Sequence, residues 1–273
     1  MKHFRIVSVF FLVFLLTACA TSPTGRNQLM LVSPEEAIVA SKEAYLQTMN
    51  SLDAKGKIDN DPEVAERVKH ITGRLISQAI ETHPNTRNWE WSVKVIDDPE
   101  TVNAWCMAGG KMAIYTGLLN KVNPTDDELA QVMGHEISHA LANHTAEKMS
   151  IAMASQAGLS ALSIALSVAG LDFGGLSMTG AELAATTAIA LPNSRTAEME
   201  ADRMGIELAA RAGYDPHSAA TLWIKMEEVG GGTPPQFLST HPSPDNRQET
   251  LGELAPLMMG YYMDEKEYPV YPL

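Results

Sequence analysis

The sequence GHEISH at residues 134–139 determines most of what can be inferred about this 273-residue chain. Residues four apart lie one turn apart on the same face of an α-helix, so His135 and His139 can reach one metal ion. Glu136 lies about 100° around the helix from His135, where it can hold a water molecule bound to that metal. The pattern therefore predicts a zinc site with two histidine ligands and a glutamate general base.

The surrounding residues favour this interpretation over two ordinary solvated or hydrogen-bonded helix histidines. A capping box at Thr125–Glu128 predicts the start of an amphipathic helix that runs through the motif towards Met149. Gly134 lies inside this helix, where glycine costs about 1 kcal/mol relative to alanine. We expect another part of the chain to approach closely at Gly134.

A catalytic zinc needs a third protein ligand and an open position. The metzincin pattern would place a glycine at 142 and a histidine at 145, but the chain has Ala142 and Thr145, which excludes that class. His144 is offset by one residue and is expected to lie at the surface or to contact a ligand without binding the metal itself.

A later helix, capped by Ser194, offers carboxylates instead. Glu198 and Asp202 are four residues apart and share a face, so Glu198 can bind the metal while Asp202 accepts a hydrogen bond from a ligand histidine. Glu200 is expected to face solvent or Arg195. Taken alone, this segment would be interpreted as a charged helix face. The GHEISH motif upstream is what favours a metal-binding role for Glu198.

Together, GHEISH and SRTAEMEAD (194–202) resemble the motifs of peptidase family M48, the gluzincins. NAW (103–105), Gly109-Gly110 and YTGLL (115–119) are also similar to the segment before the zinc helix in that family. The likeness extends over about residues 61–254. Trp105 departs from the phenylalanine of typical members, and the chain looks like the small periplasmic lipoprotein branch.

The resemblance implies one Zn²⁺ per chain, bound by His135, His139 and Glu198, with Glu136 as the catalytic base. It also implies that the strand Lys111–Tyr115 pairs with an extended substrate backbone.

His241, followed by Pro242, matches a further feature of the family. It would either stabilise the oxyanion of the tetrahedral intermediate or occupy the open zinc position and hold the enzyme inactive. The glycine-rich segment Gly230–Pro235 would let this loop move. A His-Pro turn on the surface is the remaining alternative.

The pattern as a whole predicts an α+β fold, mostly helical, in which active-site helices pack a small β-sheet. Strands are expected at Trp89–Ile96 and Lys111–Thr116, with a turn or bulge at Gly109-Gly110. Helices are expected from Ser33 to about Met49, from Asp61, from Gly117, from Ser194 to about Ala212, from Asp215 to Val229 and from Pro244 to Leu254. The catalytic domain is placed at 33–255, with a C-terminal tail at 256–273 that is expected to be irregular from Tyr261.

The apolar segment Ile151–Leu171 has two possible roles. Ile151–Leu171 is long enough to cross a membrane, but its serines favour a buried or substrate-covering helical hairpin. A loop is expected at Gly170–Gly180.

The N-terminus predicts export and lipidation. Residues 1–18 combine a short basic start with the apolar run Ile6–Leu16, which is typical of a signal peptide. LTAC at 16–19 resembles the lipobox of bacterial lipoproteins, with Cys19 as the lipidated residue and 19–32 as a tether; an ordinary secretory signal is the alternative. Cys106 is then unpaired and is expected to be buried. The absence of aspartate after Cys19 favours the outer membrane, facing the periplasm.

The net charge of −13, with no basic run, excludes nucleic acid as a partner. The expected function is a zinc endopeptidase of the bacterial envelope, acting on unfolded or misassembled proteins. A latched, chaperone-like zinc protein that assists the outer-membrane assembly machinery is the alternative. A metal-free lipoprotein scaffold and a hydrolase of another bond are also considered.

Overall fold

The computed structural model describes residues 19–168, 179–229, 235–242, 246–262 and 268–273, with the backbone alone for Cys19 and for 157–168. Strands β1 to β5 are Cys19–Thr21, Asn27–Leu29, Ser92–Ile96, Ala104–Met107 and Lys111–Tyr115. Helices α1 to α10 are Pro34–Asp53, Pro62–Thr82, Thr116–Val122, Asp126–Leu141, His144–Val168, Gly180–Ala185, Arg195–Arg211, Ser218–Val229, Gln236–Thr240 and Arg247–Tyr262. A 3₁₀ helix at Pro84–Asn88 and a π-helical turn at Thr186–Ala190 are also present. The predicted fold class, mostly helical with a small sheet, is confirmed.

Side-chain caps begin several helices where the sequence predicts them. Ser33 and Glu36 exchange hydrogen bonds with each other's backbone N–H groups at the start of α1. Thr125 and Glu128 form the same capping box at the start of α4, and the Ser194 side chain caps α7. Caps of this kind contribute about 1 kcal/mol each.

The helix that carries GHEISH, α4, ends at Leu141 instead of running on towards Met149. Asn143 adopts a left-handed backbone with φ of 56°, which asparagine tolerates and which stops an α-helix. Helix α5 then begins at His144. The expectation of one continuous helix is wrong, and the His144 side chain at the start of α5 is buried.

Strand β5 is the middle strand of a three-stranded sheet in the order β3-β5-β4. It pairs parallel with β3 and antiparallel with β4. Strand β4 forms in a segment whose sequence indicates only the approach to a turn, and β3 begins at Ser92, three residues after the expected start at Trp89. Gly109 and Gly110, with φ of 77° and 75°, connect β4 to β5 in a conformation that favours glycine.

This order corrects the expectation that Lys111–Tyr115 pairs with substrate. Both hydrogen-bonding edges of β5 are occupied, by β3 and by β4. Among the described residues, β4 has no strand on its far side, and β4 packs against α4. The sheet edge beside the GHEISH helix therefore belongs to Ala104–Met107.

The sheet separates two apolar layers, because successive side chains of a strand point to opposite faces. One layer lies against α2 and α4 and includes Val93, Val95, Cys106, Met112 and Ile114. The other lies against α1 and includes Ile96, Trp105, Met107 and Ala113. Cys106 is a free, buried thiol, as expected, and burial raises its pKa well above the ordinary value.

The segment expected to be a tether is folded onto the domain. Strands β1 and β2 pair in an antiparallel hairpin, with Cys19 opposite Leu29. The backbone N–H of Ser22 donates to the carbonyl oxygen of Arg26 at 2.8 Å, which closes the turn. Strand β2 packs against α5.

The last helix is longer than expected. Helix α10 runs from Arg247 to Tyr262, beyond the expected end at Leu254 and across the proposed domain limit at 255. The tail then packs on α2, where the backbone N–H of Tyr271 donates to the carbonyl oxygen of Gly73 at 3.0 Å. These contacts extend the folded unit past the predicted catalytic domain.

Some expectations lie wholly or largely outside the described residues, namely the leader at 1–18, the loop at Gly170–Gly180, the segment Gly230–Pro235 and the helix start at Pro244. In the described part of the chain, no helix has both the length and the apolar character needed to span a bilayer.

Helices α4 and α7 approach backbone to backbone at two glycines. A Cβ atom on Gly134 would lie 2.9 Å from the carbonyl oxygen of Gly205, and one on Gly205 would lie 2.8 Å from the backbone nitrogen of His135. This crossing is the close approach that Gly134 predicts. It brings the helix face that carries Glu198 opposite the face that carries the two histidines.

Gly205→Ala is expected to destabilise the protein, although alanine is the better helix former. The added Cβ atom forces the helices apart, and overpacking of this kind typically lowers the free energy of unfolding by about 1–3 kcal/mol. Gly252→Ala is the matched control, because nothing lies within 4 Å of the Cβ it would add in α10. Chemical denaturation compares the proteins, and a stabilised Gly205→Ala protein would contradict the close crossing.

Candidate metal centre

Three predicted ligands converge between α4 and α7. The Nε2 atoms of His135 and His139 lie 3.0 Å apart. The carboxylate of Glu198 places Oε2 at 3.3 Å from Nε2 of His135 and Oε1 at 3.4 Å from Nε2 of His139. All three side chains are buried.

His241, which follows α9, completes the group. Its Nδ1 lies 3.1 Å from Oε1 of Glu198 and 3.3 Å from Nε2 of His135. The ring is buried and stacks on Phe237, with centroids 4.4 Å apart. The alternative of a His-Pro turn on the surface is therefore wrong.

The four ligand atoms fit a tetrahedral zinc ion. They lie within 4.8 Å of one another, and the distances given above are 3.0–3.4 Å. Ligand atoms at about 2.0–2.2 Å from a tetrahedral zinc are separated by about 3.3–3.6 Å. Within the described residues, Oε2 of Glu198 is also buried and accepts no hydrogen bond; Nη1 of Arg247 faces it at 3.4 Å, and a bound cation would compensate it further.

The electrostatics of the group favour a bound cation. Burial lowers the pKa of His139 well below its ordinary value, which keeps the imidazole neutral, as a metal ligand must be. Burial alone would raise the pKa of Glu198, but the interactions with the facing imidazoles of His241, His139 and His135 outweigh it and hold the pKa well below its usual range. For His135, burial opposes protonation, yet Glu198 and Asp202 raise its pKa to about 9. The centre thus attracts positive charge to the space between these side chains.

Glu136 lies beside the ligand group without joining it. Its Oε1 is 3.4 Å from Nε2 of His241, and this oxygen accepts no hydrogen bond from the described residues. Burial raises the pKa of this carboxyl group. A buried carboxylate with a free oxygen beside a metal centre is suited to hold and deprotonate a water molecule.

Asp202 contacts His135 on the side away from the ligand group. Its Oδ1 lies 2.9 Å from Nδ1 of His135, the arrangement expected of a carboxylate that orients a ligand histidine. Arg247 donates from Nη2 to the same oxygen at 2.5 Å, and its guanidinium group lies 3.6 Å from the centre of the Trp223 ring.

His144 and Glu200 also take part in this neighbourhood. Nδ1 of His144 lies 2.7 Å from Nδ1 of His139, so His144 is buried against a predicted ligand rather than at the surface. Glu200 is buried and pairs with His144, Thr24 and Arg26, which overturns the expectation that it faces solvent or Arg195. The left-handed turn before His144 brings these side chains together.

Sequence reasoning missed two neighbours of the centre, Arg247 and Asn193. Nδ2 of Asn193 lies 3.4 Å from Nε2 of His139 and 3.3 Å from Nδ1 of His241. Its position directly before the helix cap Ser194 was the only signal available, and Arg247 had none. Cys19, the predicted lipidation site, lies in β1 and outside the cluster.

This geometry agrees with the family to which the sequence matches. The model of peptidase family M48 matches residues 62–255, a region that contains GHEISH, Glu198 and His241. The chain belongs to peptidase family M48. The M48 resemblance is thereby confirmed, and zinc is the metal that this metallopeptidase family uses.

Two relatives illustrate the breadth of M48. The chain is 34% identical over 255 residues to the mitochondrial metalloendopeptidase OMA1 of Bos taurus, covering 90% of this chain and 48% of that protein. It is 32% identical over 193 residues to the beta-barrel assembly-enhancing protease of Escherichia coli, covering 69% of this chain and 38% of that protein. The chain thus spans about half the length of these relatives or less.

Proposed function

We propose that this protein is a zinc-dependent endopeptidase. The observation that carries the proposal is the convergence of His135, His139 and Glu198 on one point beside the buried carboxylate of Glu136. A zinc hydrolase requires three protein ligands that bind the metal through nitrogen or oxygen atoms, and a general base beside them.

Each residue then has a distinct task. His135, His139 and Glu198 hold the zinc ion, and Asp202 orients His135 by accepting its Nδ1 proton in a hydrogen bond. Bound zinc supplies Lewis acidity, which lowers the pKa of water and polarises the scissile carbonyl group. Glu136 takes the proton of the attacking water and returns it to the leaving amine.

An extended polypeptide is the proposed substrate, and β4 is the strand that would receive it. Ala104–Met107 is the buried sheet edge that packs against the zinc helix, and a sheet edge that is uncovered can pair with an extended chain through backbone hydrogen bonds. The π-helical turn Thr186–Ala190 lies near β4 and would have to yield to a substrate. Folded proteins cannot present such a strand, so unfolded or misassembled proteins are favoured.

The proposed location is the bacterial envelope, with a lipid on Cys19 and the catalytic domain facing the periplasm at the outer membrane. The apolar run Ile6–Leu16 followed by LTAC supports this address. The name of the Escherichia coli relative, a beta-barrel assembly-enhancing protease, supports a role beside the outer-membrane assembly machinery.

A second candidate function is a latched, chaperone-like zinc protein that cleaves little. The position of His241 favours it, because Nδ1 lies where a fourth zinc ligand would lie, 3.1 Å from Oε1 of Glu198. A fourth protein ligand would exclude the water that hydrolysis requires. Release of His241 would then convert the latched form into the peptidase.

Glu136→Gln is expected to keep one zinc ion per chain and to lose casein cleavage by about 100- to 10,000-fold, since the amide cannot accept the proton of water. Metal analysis and cleavage of casein measure the two properties. Glu66→Gln is the control, because Glu66 is an exposed residue on α2 paired with Lys69. No zinc in the parent protein, or full cleavage by Glu136→Gln, would refute the proposal.

His241→Ala is expected to raise the rate of casein cleavage with the zinc retained, because three ligands remain and the fourth position opens. His217→Ala, which removes a histidine paired with Asp215 at the surface, should leave the rate unchanged. A loss of about 100-fold or more on removal of His241 would instead assign it to oxyanion stabilisation.

Radioactive palmitate is expected to label the protein through Cys19 in bacterial cells. The label should disappear in Cys19→Ser. It should persist in Cys106→Ser, because the Cys106 thiol is buried in the parent protein and is not expected to carry the lipid. A label that survives the loss of Cys19, or no label on the parent protein, would refute the lipid anchor.

A further inference from the structure

A chain of buried polar contacts leads away from the zinc ligand His139. Its Nδ1 lies 2.7 Å from Nδ1 of His144, and Nε2 of His144 lies 3.0 Å from Oε2 of Glu200. The side chains of His144 and Glu200 are only 1% and 2% exposed. Polar groups this deeply buried are held in one arrangement, because an unmade hydrogen bond there would leave a desolvated partner.

The protons of these two hydrogen bonds can be placed in one consistent order. With Nε2 of His139 on the metal, its Nδ1 carries the proton and donates to Nδ1 of His144. Nε2 of His144 must then carry the proton of that ring and donate to Glu200. The second nitrogen of a metal-bound histidine is usually held in this way, and the hydrogen bond fixes the orientation of the ring.

Arg26 binds Glu200, the last residue in this series of hydrogen bonds. Its Nε donates to Oε2 of Glu200 at 2.8 Å, while Nη1 and Nη2 donate to the two oxygens of Glu147 at 2.7 and 2.6 Å. Glu200 is therefore fixed between His144 and the guanidinium group by hydrogen bonds from both.

The hairpin β1–β2 gives Arg26 its position. The Arg26 backbone N–H donates to Oγ of Ser22 at 3.1 Å, and the Thr24 hydroxyl donates to Oε1 of Glu200 at 2.5 Å. Gln28 donates from Nε2 to Oε2 of Glu147 at 2.9 Å and to the carbonyl oxygen of Ala142, just beyond the zinc helix, at 2.8 Å. The hairpin is thus attached both to the end of that helix and to the contacts of His139.

We propose that Arg26 is a positioning residue of the metal centre, which orients His139 through Glu200 and His144. The proposal rests on the zinc site of the proposed function and extends it to the N-terminal hairpin, outside the matched region 62–255. Undocking of the hairpin would release Glu200, free the His144 ring to turn and weaken the hold on His139.

The test measures the zinc dissociation constant of the full-length purified protein by competition with a chelator, without reference to cleavage. Arg26→Ala is expected to weaken zinc binding by about 10- to 100-fold, the effect typical of residues that orient metal ligands. Arg26→Lys should restore little of it, because an ammonium group cannot bridge Glu200 and Glu147 as the guanidinium fork does.

The double variant separates positioning from a general structural role. In a Glu200→Ala background, Arg26→Ala should cause no further loss of zinc affinity, because its route to His139 is already broken. Arg67→Ala is the matched control: its guanidinium group bonds Asp126 and the carbonyl oxygen of Pro124 at the other end of the zinc helix. Zinc binding should be unchanged there.

The zinc-binding measurements distinguish failure of this inference from failure of the zinc centre. Tight zinc binding in the parent and an unchanged constant in Arg26→Ala would overturn this inference and leave the zinc centre intact. Equal losses from Arg26→Ala with and without Glu200 would also overturn it, since the effect would not pass through Glu200. A parent protein that binds no zinc would overturn both the zinc centre and the role of Arg26.

Discussion

The close crossing of two helices at Gly134 and Gly205 is the constraint on which the metal centre depends. Any larger side chain at either position would meet the backbone of the opposite helix at under 3.0 Å. The residue after Gly134 is His135, the first of the proposed metal ligands, and Glu198 and Asp202 precede Gly205 on the facing helix. The separation of the helices therefore sets the distance between the nitrogen and carboxylate ligands directly.

The crossing also confines several ionisable groups to a buried space. Buried carboxylates and imidazoles in one cluster are stable only when paired or bound to a cation. The chain meets this requirement from both ends, with Arg247 of the last helix beside Asp202 and Arg26 of the first hairpin beside Glu200. The parts of the fold outside the two crossing helices thus serve the site as well as the core.

Local patterns in the sequence predicted the helix starts and the candidate ligands that the fold brings together, because both depend on spacing of three or four residues along one helix. Long-range pairing was not predictable in this way. The central position of β5 depends on which strands flank it, and the burial of Glu200 depends on Arg26, distant in the chain. The break at Asn143 depends on the left-handed backbone conformation of that residue, which the continuous apolar pattern of the sequence does not reveal.

Crystals of the purified protein measured at the zinc absorption edge would test the account of the metal centre most directly. We expect one anomalous peak within about 2.0–2.2 Å of Nε2 of His135, Nε2 of His139 and the carboxylate of Glu198. Zinc bound at another place in the chain, or at the two histidines with Glu198 turned away, would contradict the arrangement set by the helix crossing.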